Sequence, residues 1–190
     1  MIIYRDTREQ KVLDFKIGDG ISKVVDTKLP YGDYAAAWED KAGNHISFMP
    51  IFWDRKALGD LFGTLTSGVE RFKREIQRAL EDKVSLKIII EGCRREVEMG
   101  YEHSTVSGKT ILKTLDTLHV KYGIEHVFCN DRSDMVKTIV SKFQAIGRNF
   151  KPNHTKMDDE EVALEKEKQL EGAKQLEKSR SDEEVGEQDD

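Results

Sequence analysis

The chain has 190 residues, 37% hydrophobic and 35% charged, with a formal charge of -5, a size that accommodates one domain around one core. No apolar stretch approaches the ~20 residues needed to span a bilayer, and Met1 leads straight into a strand pattern rather than a signal segment, so a soluble protein of the cytoplasm is expected, or of the nucleus in a eukaryote. The two cysteines, Cys93 and Cys129, lack zinc-ligand spacing and are expected as buried free thiols.

The charge is unevenly placed. Residues 154–190 hold 6 Lys/Arg against 14 Asp/Glu, leaving 25 basic and 22 acidic residues in 1–153, a body of +3 beside a tail of -8. The expected organisation is one domain over 1–153 followed by an acidic tail over 154–190. So polar a tail cannot bury enough apolar surface to offset its ordering entropy and reads as disordered or as a solitary charged helix. Only the body's sign bears on nucleic acid.

Along the body, Ile2-Ile3-Tyr4 reads as a short strand that delivers Asp6 and Arg8 to its carboxyl end, and Ser22 to Thr27 alternates weakly as a second strand. Ala35 to Trp38 and Ile46 to Trp53 form the arms of a hairpin whose turn is placed at Gly43-Asn44. With those two residues at its centre, paired positions sum to 87 and Asp33 stands opposite Asp54. Pro50, which lacks a backbone donor, marks a place where the register slips by one. Leu58, Leu61, Phe62 and Leu65 recur at helical spacing, Thr66-Ser67-Gly68 breaks the pattern, and a second helix carries Val69, Phe72, Ile76, Ala79 and Leu80.

On another face of that helix Arg71, Arg74 and Arg78 form a basic stripe. Such a stripe is either a solvated face paired with Glu70, Glu75 and Glu81 or a grip for phosphates. Leu86 to Glu91 is a strand buried on both faces, with Glu91 at its end. Cys93 to His103 reads as a polar loop over substrate carrying Arg94 and Arg95. Ser107 caps a helix bearing Ile111, Leu112, Leu115, Leu118 and Tyr122, His126 to Cys129 is a strand, and a last helix carries Met135, Val136, Ile139, Val140, Phe143 and Ile146. Strands alternating with helices indicate an α/β domain with a central mixed sheet. Ser107-Gly108-Lys109-Thr110 is not a phosphate-binding loop, because position 103 is histidine where that motif requires glycine, so no nucleotide cofactor is expected. His45, His103, His119, His126 and His154 show no ligand spacing.

Chemistry concentrates at Gly32-Asp33-Tyr34 and Asp54-Arg55-Lys56. On a strand, i and i+2 share a face, so Asp54 and Lys56 project together toward Asp33, and opposed residues lie roughly 4.5 to 5.5 Å apart at Cβ, close enough to share one cation. Mg²⁺, with Mn²⁺ as a substitute, binds through one or two carboxylates plus phosphate and water, and a neighbouring lysine either holds the attacking water or steadies charge growing on the phosphate. This is the D…(D/E)xK pattern of metal-dependent phosphodiesterases.

These residues resemble the signature of the XPF family of structure-specific endonucleases. The matching positions are Gly32-Asp33-Tyr34, Asp54-Arg55-Lys56 and Asp60-Leu61, with Ile3 to Glu9 similar to that family's first strand and its Asp-x-Arg-Glu, and Ile88 to Gly92 similar to a later core strand. The likeness runs from Ile2 to Phe150 and departs at one point, Asp54, where the family has glutamate. It implies a restriction-endonuclease-like sheet flanked by helices and Mg²⁺-dependent cleavage of branched, flap or junction DNA. Asp33 and Asp54 would then ligate the metal, and Lys56 would position the water. Arg55 would act through its backbone carbonyl on the metal or by phosphate contact, with Asp6, Arg8 and Asp60 in support and Arg71 the first choice among the DNA contacts. A homodimer is the self-association such proteins commonly show. The alternative is a catalytically silent DNA-binding subunit paired with an active nuclease. A restriction or junction-resolving enzyme on the same core differs only in substrate.

Overall fold

The computed structural model describes residues 1–150 and Pro152; the tail expected over 154–190 lies outside the described residues. The elements are β1 (Ile2–Asp6), β2 (Lys23–Thr27), β3 (Tyr34–Glu39), β4 (His45–Lys56), α1 (Leu58–Leu65), α2 (Val69–Glu81), β5 (Ser85–Glu91), α3 (Arg94–Met99), α4 (Gly108–Tyr122), β6 (His126–Cys129) and α5 (Arg132–Asn149). No helix among the described residues is long and apolar enough to cross a membrane.

The strands form one mixed sheet in the order β2-β1-β3-β4-β5-β6. Only β3 runs against its neighbours: β1 pairs with β2 in parallel, and β4, β5 and β6 pair in parallel. The carboxyl ends of β1, β4, β5 and β6 and the amino end of β3 therefore share one edge of the sheet. In open α/β sheets that edge is where ligands bind.

One face of the sheet packs on α5. Ile3, Tyr34, Trp53 and Ile89 meet Leu13, Phe15, Met135, Ile139, Phe143 and Ile146 in a continuous core. The opposite face follows by alternation along β5: Leu86, Ile88 and Ile90 are as buried as Ile89, and α1 and α2 pack against this part of the sheet. A run buried on both faces is what the unbroken apolar stretch of β5 signals. The registers Phe52↔Leu86, Asp54↔Ile88 and Lys56↔Ile90 set Asp54 and Lys56 on the Ile88 face, and Trp53 and Arg55 on the α5 face.

The hairpin differs from its expected form. Its turn spans Asp40 to Asn44, closed by Asp40 N–H to Asn44 O and Gly43 N–H to Asp40 O, with the Asp40 carboxylate accepting the N–H groups of Ala42 and Asn44. The first pair beyond it is Glu39↔His45, and two irregularities follow before Ala35↔Phe52 and Tyr34↔Trp53. The larger places Met49, Pro50 and Ile51 in β4 across from Ala36 alone, with Pro50 exposed. The slip there is two residues, not one.

A second correction concerns 93–103, which is not wholly a loop: Arg94–Met99 is α3. Ser107 caps α4 as expected, its side chain accepting Thr110 N–H. Both cysteines are free, but only Cys129 is buried; Cys93 is half-buried at the start of α3.

Candidate active site

The site begins with a turn only glycine can make. Gly32 has φ +54, and a Cβ there would lie 2.7 Å from the carbonyl oxygen of Trp53. This close approach lets Asp33 N–H reach Trp53 O at 2.7 Å, while Asp33 O accepts Asp6 N–H at 2.8 Å. Asp33 is thereby held between the ends of β1 and β4, one residue beyond the pair Tyr34↔Trp53, with Asp54 the next residue along β4. The main-chain N–H of Arg55 donates to Asp33 Oδ2 at 2.7 Å.

Asp54 is 6% exposed. Lys56 Nζ donates to its Oδ1 at 2.6 Å, and its Oδ2 is buried without any hydrogen-bond partner. Burial, then repulsion from Asp54, pushes the pKa of Asp33 up to about 8 against the opposing pull of the Arg55 N–H and Lys56. Burial alone would lower the pKa of Lys56, but Asp54 together with Asp33 and Glu75 outweighs it and the ammonium is held more firmly than usual. Two carboxylates thus face one lysine, with one oxygen unsatisfied and one acid resisting ionisation.

That imbalance is what a divalent cation relieves. Among the described residues no group of three or more His, Cys, Asp or Glu side chains is arranged to hold a metal ion, but Mg²⁺ is commonly held by two carboxylates with water and phosphate completing its shell. Asp33 and Asp54 fit that donor set, and the unpartnered Oδ2 is the atom with most to gain.

The supporting residues divide by role. Asp6 is 1% exposed and accepts the N–H groups of Arg8 and Leu29 as well as two guanidinium bonds from Arg8. It braces the Leu29 turn and aims Arg8, and it offers no oxygen to solvent. Arg8 is anchored to Leu29 O as well and feels the charges of Glu75 and Asp33. The Arg55 guanidinium bonds to Glu91 at 2.9 Å and Glu9 at 3.4 Å and its side chain is 3% exposed, at the lining of the cleft. Only its main chain faces Asp33. Asp60 is exposed in the first turn of α1.

A cleft runs along this edge in two lobes. The first, of about 900 Å³, is lined by Lys11, Asp33, Lys56, Asp60 and Arg71 among others. The second, of about 870 Å³, is lined by Asp33, Asp54, Arg71, Arg74, Glu75 and Arg78 among others. Arg8, Glu9, Asp33 and Arg71 belong to both. Arg78 lies over the ring of Tyr31 at 5.7 Å, whose hydroxyl donates to Asp82.

The basic stripe of Arg71, Arg74 and Arg78 is exposed and lines the second lobe of the cleft. Glu70 pairs with Lys73, Glu81 accepts from Gln77, and Glu75 accepts from Gly32 N–H. Arg94 and Arg95 line neither lobe; both are exposed on α3, with Arg94 near enough to His126 to affect it. Glu9, Lys11 and Glu75 belong to the cleft without having been singled out. Glu9 stood within the quoted Asp-x-Arg-Glu, whereas an acid amid a basic helical stripe carries no local signal of its own.

The ERCC4 domain family model matches residues 5–142. Two solved structures share the fold: XPF from Aeropyrum pernix, at 22% identity and TM-score 0.55, with 78% of this chain and 66% of that chain covered, and XPF from Aeropyrum pernix in complex with DNA, at 21% identity and TM-score 0.50, with 79% and 68% covered. The likeness at these identities is one of fold, and the match spans 66% of the length of the first. No curated protein sequence matches the chain.

Proposed function

The chain belongs to the ERCC4 domain family, and on that premise we propose that it is a divalent-cation-dependent DNA endonuclease acting on branched, flap or junction DNA. The observation that carries the reading is Asp54: a buried carboxylate with one oxygen on Lys56 and the other unpartnered, facing a second acid across a cleft lined with arginines.

When bound, a cation such as Mg²⁺, or Mn²⁺ in its place, supplies positive charge to the phosphate and a water made acidic enough to attack at neutral pH. The chain's own residues do the rest. Asp33 and Asp54 would hold the cation, Asp33 kept in position by the Trp53 carbonyl and the Arg55 N–H. Lys56, kept protonated by the acids around it, presents an ammonium to charge that grows on phosphate oxygens in the transition state, a preorganised group that needs no rearrangement by water. Arg71, Arg74 and Arg78, with Arg8 and Lys11, take the phosphates along the cleft, the sequence-independent part of affinity. A cleft that continues on both sides of Asp33 suits a strand passing through rather than a chain end.

The test is to incubate the purified chain with Mg²⁺ or Mn²⁺ and labelled flap, fork, four-way junction, single-stranded and linear duplex DNAs. Internal cuts in a branched substrate, lost in EDTA, are expected. No cutting of any substrate would favour the silent DNA-binding subunit.

A further inference from the structure

Lys56 holds one of the two oxygens of the Asp54 carboxylate on which a cation would settle. Its Nζ lies 2.6 Å from Asp54 Oδ1, in a pair whose side chains are only 15% and 8% exposed. A divalent cation and an ammonium on the same buried carboxylate repel each other where water is scarce. A cation that settles on Asp54 therefore weakens its hold on the lysine.

Glu75, on α2, is the acceptor in the cleft whose charge already acts on Lys56 from outside the Asp33–Asp54 pair. Glu75 lines the same lobe as Asp33 and Asp54 and accepts a hydrogen bond at 3.2 Å from Gly32 N–H, next to Asp33 in the chain. The Lys56 ammonium stands 5.9 Å from the ring of Phe72. Phe72 and Glu75 are three residues apart on α2, and residues at that spacing are neighbours on one helix face. Glu75 already acts on Lys56 and on Arg8 through its charge, and the Gly32 N–H fixes one of its oxygens and leaves the other available.

We propose that Lys56 is a built-in counter-ion which a divalent cation displaces from Asp54, and that Glu75 receives its ammonium and holds it at the phosphate. The inference rests on the reading of a cation at Asp33 and Asp54. In the cation-free site Lys56 satisfies half of Asp54; once the cation takes over, the lysine is released to the position where it serves the reaction. Glu75 is in these terms a positioning residue acting through Lys56. The exchange moves charge without breaking any covalent bond, and the proton stays on Nζ throughout.

The experiment measures binding of Mn²⁺ alone, from the electron paramagnetic resonance signal of free Mn²⁺, to the full chain and to Lys56→Met, Glu75→Gln and the double variant. Melting curves without Mn²⁺ verify the fold. Lys56→Met is expected to tighten Mn²⁺ binding on the order of ten-fold, the factor that about 1.4 kcal/mol of removed competition represents, while abolishing cleavage. Glu75→Gln keeps the acceptor for Gly32 N–H and loses only charge; it is expected to weaken Mn²⁺ binding about three-fold or more when Lys56 is present, and little in the Lys56→Met background, the signature of coupled sites.

Unchanged or weaker binding by Lys56→Met overturns the inference alone, as does an equal effect of Glu75→Gln in both backgrounds, which would make Glu75 a distant charge and nothing more. Mn²⁺ binding to none of the four proteins overturns the cation reading itself. Should Lys56→Met not fold, Lys56→Gln, which retains a donor for Asp54 but no charge, takes its place with the same expectation.

Discussion

Arg55 donates its main-chain N–H to Asp33 Oδ2 at 2.7 Å, so the strand that carries Asp54 also fixes the opposing carboxylate. Two residues back along β4, the Trp53 carbonyl receives Asp33 N–H, also at 2.7 Å. Asp33 is clamped at main chain and side chain by the backbone on either side of Asp54. Trp53 and Phe52 are fully buried, and burying a side chain of phenylalanine size contributes about 1.5 to 3 kcal/mol, so this strand end is anchored on both faces of the sheet. The carboxylate spacing is set by packing and backbone geometry, not by the charges themselves, which repel.

Gly32 is what allows the clamp to close. In Gly32→Ala the added Cβ would sit 2.7 Å from the Trp53 carbonyl oxygen at a φ of +54, and a strained backbone of this kind costs on the order of 1–3 kcal/mol. The expected result is a melting temperature several degrees lower and a loss of cleavage larger than any loss of DNA binding. If the variant melts and cuts as the parent does, the turn relaxes without moving Asp33 and the clamp is not needed.

Asp6 contributes to the acid limb of stability. Burial pushes its pKa up, but the Arg8 guanidinium and the N–H groups of Arg8 and Leu29 outweigh burial and leave it below its ordinary 3.8. A carboxylate depressed in the folded state contributes stability that is present above the unfolded value and lost as pH falls through the folded one. The parent should therefore lose stability below about pH 4, and Asp6→Asn should show a flatter curve there. At neutral pH the same variant should be less stable by about 1.5–3 kcal/mol, the range for hydrogen bonds to a charged group. Urea melts between pH 2.5 and 7 measure both; parallel acid limbs would remove Asp6 from the account.

What the sequence made legible was whatever depends on local pattern. The pairing sum of 87 at the open end of the hairpin came out correctly from a wrong turn: it assumed Gly43-Asn44 at the tip, whereas the pairs Glu39↔His45, Trp38↔Ser47 and Ala37↔Phe48 sum to less, and the irregularities around Ile46 and Pro50 restore the expected sum by Ala35↔Phe52 and Tyr34↔Trp53. Proline announced the slip but not its size, since one absent donor is consistent with any bulge length. α3 was invisible because six residues are too few for a helical period. Glu75 and the burial of the Arg55 guanidinium by Glu9 and Glu91 come from chain segments brought together only by the sheet, which no local spacing encodes.

The arginines separate by position in the fold. Arg71 lines both lobes of the cleft, whereas Arg94 and Arg95 line neither. Arg71→Ala should weaken binding of branched DNA without sequence preference and reduce the slope of log affinity against log salt by about 1, the loss of one phosphate contact. Arg94→Ala and Arg95→Ala should leave that slope as it is. Titrations across a range of NaCl concentrations decide it; an equal fall in slope for Arg94→Ala would extend the DNA path over α3.

Asp54 is where the chain departs from the signature it otherwise follows, and the structure states the consequence in atoms. The shorter acid keeps one oxygen on Lys56 and leaves Oδ2 buried and unpartnered. A glutamate would carry its carboxylate about 1.5 Å further from the backbone, one carbon–carbon bond, into a lobe of about 870 Å³ that has room for it. Asp54→Asn preserves shape and removes charge, so it should abolish cation-dependent cleavage and Mn²⁺ binding together while DNA binding, which depends on the arginines, persists. Asp54→Glu should retain measurable cleavage, with Mn²⁺ favoured over Mg²⁺, because Mg²⁺ demands near-ideal geometry at about 2.0–2.1 Å and tolerates a displaced ligand poorly. Cleavage rates for the three proteins under each cation provide the check. Parent-level cutting by Asp54→Asn would mean that the cation is held elsewhere and that the unpartnered oxygen has no part in the chemistry.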